Sequence, residues 1–129
     1  MPRIKIVLPF LCLVLSALMP ALPVAAGPKR FECPSWPTNM AIVELKNAGI
    51  TDPTRLDETK TKAVLLASER IGKDKIYHRA LYRQVYEISF QETSGRIIQV
   101  ITNSEAGPVE CSMGPVDVYV VSQHIAGGP

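Results

Sequence analysis

The clearest pattern in the chain is an alternation. From position 82 to 91, Tyr82, Tyr86, Ile88 and Phe90 interleave with Arg83, Glu87, Ser89 and Gln91, the period of two expected of a strand with one buried face. Residues 97–102 supply an apolar partner, and Thr93-Ser94-Gly95 between them has turn chemistry. A three-residue loop with Gly95 in the left-handed region sets Glu92 opposite Arg96. It then pairs Phe90 with Ile98, Ile88 with Val100 and Tyr86 with Thr102. A four-residue loop would oppose Ile88 and Gln99, so hydrophobic matching selects the shorter one. Residues 116–122 read as a final strand, after a loop over 103–113 that carries Cys111.

The first half is less decided. Residues 40–48 suit a short helix, with Thr38 or Asn39 as N-cap and Gly49 as terminator; a strand over 40–45 fits the same residues. The apolar run Ala63-Val64-Leu65-Leu66-Ala67 has the length of a strand, yet Ala63, Leu66, Ala67 and Ile71 also share one face of a helix over 57–71. Residues 27–38 hold three prolines and the only Trp. They predict an irregular strap, pinned by Cys33 and by burial of Trp36. Together these elements predict an α+β fold: a small antiparallel sheet of three to four strands, a short N-terminal helix and one disulfide.

Hydropathy changes the picture at the N-terminus. Arg3 and Lys5 precede an apolar stretch over 6–19, Pro20 and Pro23 follow, and Val24-Ala25-Ala26 places short side chains before Gly27. That order predicts a signal peptide over 1–26, cleaved between Ala26 and Gly27, and a single mature domain over 27–129. The competing reading is a retained membrane anchor, since no charge interrupts 6–26. After cleavage the domain has no membrane segment. Cys12 leaves with the signal, so Cys33 and Cys111 remain as a pair for one disulfide in an oxidising compartment. Closing the chain between them restricts the unfolded ensemble by up to about 4.5 kcal/mol in the loop-entropy account.

Charge narrows the partners. The chain has 14 Lys and Arg against 12 Asp and Glu, and removing Arg3 and Lys5 makes the two equal. A neutral domain has little attraction for polyanions, which argues against nucleic acid as a partner.

Catalytic chemistry has thin support. The chain lacks a Gly-x-Ser-x-Gly elbow, a His-x-x-x-His or Cys-x-x-Cys pair, a Walker loop and a dinucleotide fingerprint, so no catalytic, cofactor or metal-ligating residue is assigned. His78 lies between Lys75 and Arg79, and His124 lies near the C-terminus. Either could serve a small secreted hydrolase or nuclease, the alternative function. Adjacent Asp57 and Glu58 read as a solvated cap. The leading expectation is a small exported protein, periplasmic in a Gram-negative cell, that binds an unknown protein partner without catalysis as an inhibitor, immunity or accessory factor. A second copy of the chain is a further candidate partner. The proposed register puts Ile97 and Ile101 on one sheet face beside Tyr119 and Val121, and this face is the expected partner surface unless residues 50–80 fold over it as a second helix.

The intact mass of the protein isolated from its native cell under non-reducing conditions is expected to start at Gly27 and to be two hydrogens light. A mass that includes 1–26 would replace cleavage with anchoring.

Overall fold

The computed structural model describes residues 31–121. The signal segment, the Ala26–Gly27 junction, His124 and the last residues of the chain lie outside them. The described chain forms helix α1 (Ser35–Asn47) and then strands β1 (Lys62–Lys73), β2 (Ala80–Gln91), β3 (Ile97–Ala106) and β4 (Asp117–Val121). The strands make one antiparallel meander in the order β1-β2-β3-β4. Among the described residues no helix is long and apolar enough to cross a membrane.

The hairpin follows its side-chain matching. Phe90 opposes Ile98, Ile88 opposes Val100 and Tyr86 opposes Thr102. Glu92 N–H donates to the Arg96 carbonyl at 2.8 Å and Gly95 takes φ +94°, the three-residue loop with a glycine bulge. On the face toward α1, Tyr86, Ile88, Phe90 and Val100 are fully buried with Ala41 and Leu45 of the helix, and Ile98 closes the layer.

The helix starts earlier than its polar capping signals suggest. Neither Thr38 nor Asn39 is the cap: Pro34 occupies that position, and no side-chain hydrogen bond caps the end. Prolines at a helix start cost little, because the first-turn N–H groups have no intrahelical acceptor in any case. The expected strap therefore divides, its second half forming the first turn of α1, which contains half-buried Trp36 and buried Pro37. At the other end Gly49, at φ +70°, ends the helix as expected. Its N–H donates to the Lys46 carbonyl, and Ile50 N–H reaches back to Leu45, while the Ile50 and Leu45 side chains share the core.

Two strands run further than their apolar patterns. The run at 63–67 is strand, not helix, and β1 extends to Lys73 through bulges at Leu66 and Ile71 that interrupt its alternation. The loop expected from 103 begins only after Ala106, since Asn103, Ser104 and Glu105 pair with Val85, Gln84 and Arg83. Polar character there reflects what lies above the sheet. Cys33 N–H donates to Tyr86 Oη (2.8 Å) and Gln84 Oε1 (3.3 Å), and Gln84 Nε2 donates to the Phe31 carbonyl (2.8 Å) and Ser68 Oγ (3.3 Å). Polar side chains are thus buried where backbone, not apolar helix, covers them. The Thr102 and Ser104 hydroxyls, in the same region, find no partner among the described residues. Burial raises the Tyr86 hydroxyl above its ordinary pKa.

The Cys33–Cys111 disulfide joins this cover to the segment leading into β4, with Cα atoms 5.5 Å apart. Trp36 Nε1 donates to the Gly114 carbonyl at 3.3 Å and adds a second tie to that segment. At the opposite end of the helix, buried Glu92 gathers the connections. Its Oε1 accepts from Thr51 Oγ1 (2.5 Å) and Arg96 Nη2 (2.7 Å), and its Oε2 accepts from Arg96 Nε (3.0 Å) and Ser94 Oγ (3.2 Å). Arg96 Nη2 also donates to the Ile50 carbonyl at 2.6 Å. The β2–β3 turn is thereby held to the chain leaving α1.

The Arg96 hydrogen bonds, then Thr51, hold the Glu92 carboxyl down at about 2 against an ordinary 4.5. A folded-state pKa below the unfolded one stabilises above pH 4.5, and this contribution is lost as pH falls toward 2. Glu92→Gln is expected to lower stability at pH 7 and to flatten the loss between pH 4.5 and 2, read by urea unfolding across that range. An unchanged acid limb would remove Glu92 from this role.

Candidate functional site

The four strands carry a second face, opposite α1. Strand alternation and register place Val64, Glu87, Ile101 and Tyr119 in one row across the sheet. Lys62, Ser89, Gln99 and Val121 form the next row, and Ala67, Val85, Asn103 and Asp117 the one on the other side. Ile97 lies beyond the second row, opposite Gln91. The structure thus brings Ile101 and Tyr119 directly together and sets Ile97 on the same face.

Nothing among the described residues covers this face. Residues 50–80 do not form the second helix that would have done so; they make two short 3₁₀ turns beside the sheet and then β1 itself. Ile97 is consequently 65% exposed, Tyr119 60%, Val64 56% and Val121 46%. The other residues of the face have mixed character. Arg83 and Glu105 face each other at 3.7 Å, an exposed pair worth about 0–1 kcal/mol. Asn103 Nδ2 donates to Asp117 Oδ2 at 3.5 Å. A shallow depression of about 380 Å³ lies between Lys60, Lys62, Ser89, Gln91, Ile97 and Gln99. The Ile97 end of the face is therefore cationic and apolar, whereas Glu87 and Asp117 lie toward its middle and far side.

A second concavity, about 390 Å³, opens between the β1–β2 turn and the loop that follows β3, lined by Asp74, Tyr77, Arg79, Val109, Glu110 and Met113 among others. Its carboxylates are already engaged. Asp74 Oδ1 accepts from Tyr77 N–H (2.6 Å) and Ile76 N–H (3.0 Å), and Oδ2 accepts from Arg79 N–H (2.9 Å). These bonds, that from Tyr77 first, lower the Asp74 pKa. Glu110 Oε1 accepts from the Ser112 hydroxyl (2.5 Å) and N–H (2.9 Å), and the hydroxyl chiefly lowers the Glu110 pKa. Both groups are anions at neutral pH, serving as loop fasteners and ill suited to donate a proton. His78 sits exposed in the same turn at φ 54°, its N–H donating to the Asp74 carbonyl. The neighbouring carboxylate that would orient its ring as a base is committed to backbone. Asp57, read as a cap, is one: its Oδ1 accepts from Thr59 N–H and hydroxyl.

Sequence reasoning put Ile97, Ile101 and Tyr119 on one face and Glu92 opposite Arg96, but it did not single out the holding roles of Asp74 and Glu92. Asp74 was legible as an acid opening a turn, and Glu92 as the partner of Arg96; their full sets of donors depend on the folded turn and on Thr51, far away in sequence. Compared with known proteins, the chain matches no family model, no curated protein sequence and no solved structure.

Neighbouring residues on β3 are expected to respond in opposite ways. Ile97→Lys should change the unfolding free energy by less than about 0.5 kcal/mol, whereas Ile98→Ala, one residue on and facing α1, should cost about 3 kcal/mol. Equilibrium urea unfolding of both variants checks this, and a large loss at Ile97 would mean that the face is covered.

Proposed function

We propose that the protein is an exported, non-catalytic protein-binding module, an inhibitor, immunity or accessory factor, that engages its partner through the uncovered face of the sheet. The observation that carries this reading is the exposure of Val64, Ile97, Tyr119 and Val121 around half-buried Ile101 on a face with no covering element among the described residues. Apolar side chains gathered on a regular, rigid surface lose hydration when a partner seats on them, which favours association. A tyrosine beside an isoleucine gives large contact area at low entropic cost, as in the energetic centres of protein interfaces. Lys60 and Lys62 beside Ile97 favour a partner that sets an acidic group next to an apolar one.

The disulfide and the proposed signal segment fit an oxidising compartment outside the cytoplasm. The balanced charge of residues 27–129 fits a protein partner better than a polyanion.

The test is capture from a native cell-envelope extract by tagged wild-type protein and by Ile101→Asp and Tyr119→Ala variants whose circular dichroism matches the wild type. A stoichiometric partner held by the wild type and released at least about tenfold more readily by the variants is the expected result. Equal retention by all three would dismiss this face as the binding surface.

A further inference from the structure

We propose that the outer edge of β4 pairs with β4 of a second copy of this chain, antiparallel about a two-fold axis at Tyr119, so that two sheets become one. This goes beyond the partner reading above: it concerns the edge of the sheet, and it stands whether or not the face binds another protein.

The two edges of the sheet are unlike. The β1 edge carries Lys62, Glu69, Arg70 and Lys73 and is broken by two bulges, the features that keep an edge strand from recruiting another. The β4 edge has none of them. Its residues, Asp117-Val118-Tyr119-Val120-Val121, pair with β3 without a register shift. They contain no lysine, no proline and a single charge, at one end.

Which groups point outward follows from the ladder. The Glu105 carbonyl of β3 accepts from Met113 N–H on the β4 side, so the odd-numbered residues of β3 direct their backbone toward β4. Their partners Asp117, Tyr119 and Val121 are therefore the residues of β4 that bond inward. Val118 and Val120 direct N–H and C=O to the outer edge, which no strand among the described residues occupies.

A five-residue strand with this arrangement is complementary to itself. With Tyr119 opposite its own copy, Val118 of each chain meets Val120 of the other as a hydrogen-bonded pair, each exchanging N–H and C=O. Asp117 then faces Val121 of the other copy, which keeps the two carboxylates at opposite ends of the junction. Both faces of the junction are apolar at their centre, with Asp117 at one end of the open face and exposed Glu44 at the rim of the helix side. Tyr119 and its copy adjoin on the open face, extending the Ile101 row, while Val118 and Val120 adjoin on the helix side, where a groove of about 150 Å³ lies between them and Leu45, Ala48 and Ile50. The charge balance of residues 27–129 adds no net repulsion between copies. A junction of two five-residue strands is small, which puts the dimer in the weak class.

Sedimentation velocity of residues 27–129 with the disulfide intact, from low to high micromolar concentration, is expected to show a monomer–dimer equilibrium. Val120→Pro removes an outward N–H that the β3–β4 ladder does not use, and should raise the dissociation constant about tenfold or more. Tyr119→Lys and Tyr119→Glu place like charges opposite each other in a homodimer and should each be monomeric, while their equimolar mixture should recover the dimer. This charge pair keeps the test decisive should the proline variant fail to fold. A wild type that stays monomeric throughout, a dimer insensitive to Val120→Pro, or a mixture no more associated than its components would overturn the proposal.

Discussion

One 13-residue helix covers a four-stranded sheet among the described residues, and where it is held decides what the rest of the molecule can do. Its Ala41 and Leu45 fill the layer above Tyr86, Ile88, Phe90 and Val100. Its ends are fastened by different means. Before the helix, Cys33 is bonded to Cys111 and donates its N–H to Tyr86; beyond it, the Gly49 terminator leads into the Thr51, Glu92 and Arg96 cluster. Among the described residues no further helix is left for the other face, and the exposure of the apolar residues around Ile101 follows from that shortage.

The same constraint explains the placement of polar groups. Where α1 lies, the strands read as alternating apolar residues. Toward the Cys33 end the covering material is irregular backbone, which must have its own N–H and C=O groups satisfied. Gln84 and the Tyr86 hydroxyl do this from below. A buried glutamine is therefore a fitting choice at a position that pattern alone would give to an aliphatic residue.

Legibility in the sequence varied with how local the cause was. The hairpin register could be read because one loop length matched large apolar residues across the strands and the other did not. Gly49 and the Cys33–Cys111 pair were equally plain, as was the sharing of one face by Ile97, Ile101 and Tyr119. The helix start was obscured because prolines stand where a polar cap was sought. The lengths of β1 and β3 were obscured because bulges broke one alternation and buried polar residues masked the other. Whether the second face of the sheet was covered turned on residues 50–80, whose short apolar run suits either secondary structure until a neighbouring strand edge is present.

The disulfide has a consequence for the order of events in folding. Cys33 precedes the helix and Cys111 follows β3, a separation of 78 residues, so α1 and three of the four strands lie inside the ring the bond closes. Synthesis from the N-terminus delivers the first thiol long before its mate, and the pairings of the meander between them join sequential neighbours. Any oxidant that reaches Cys33 before Cys111 has emerged meets a thiol whose proper companion is still to come.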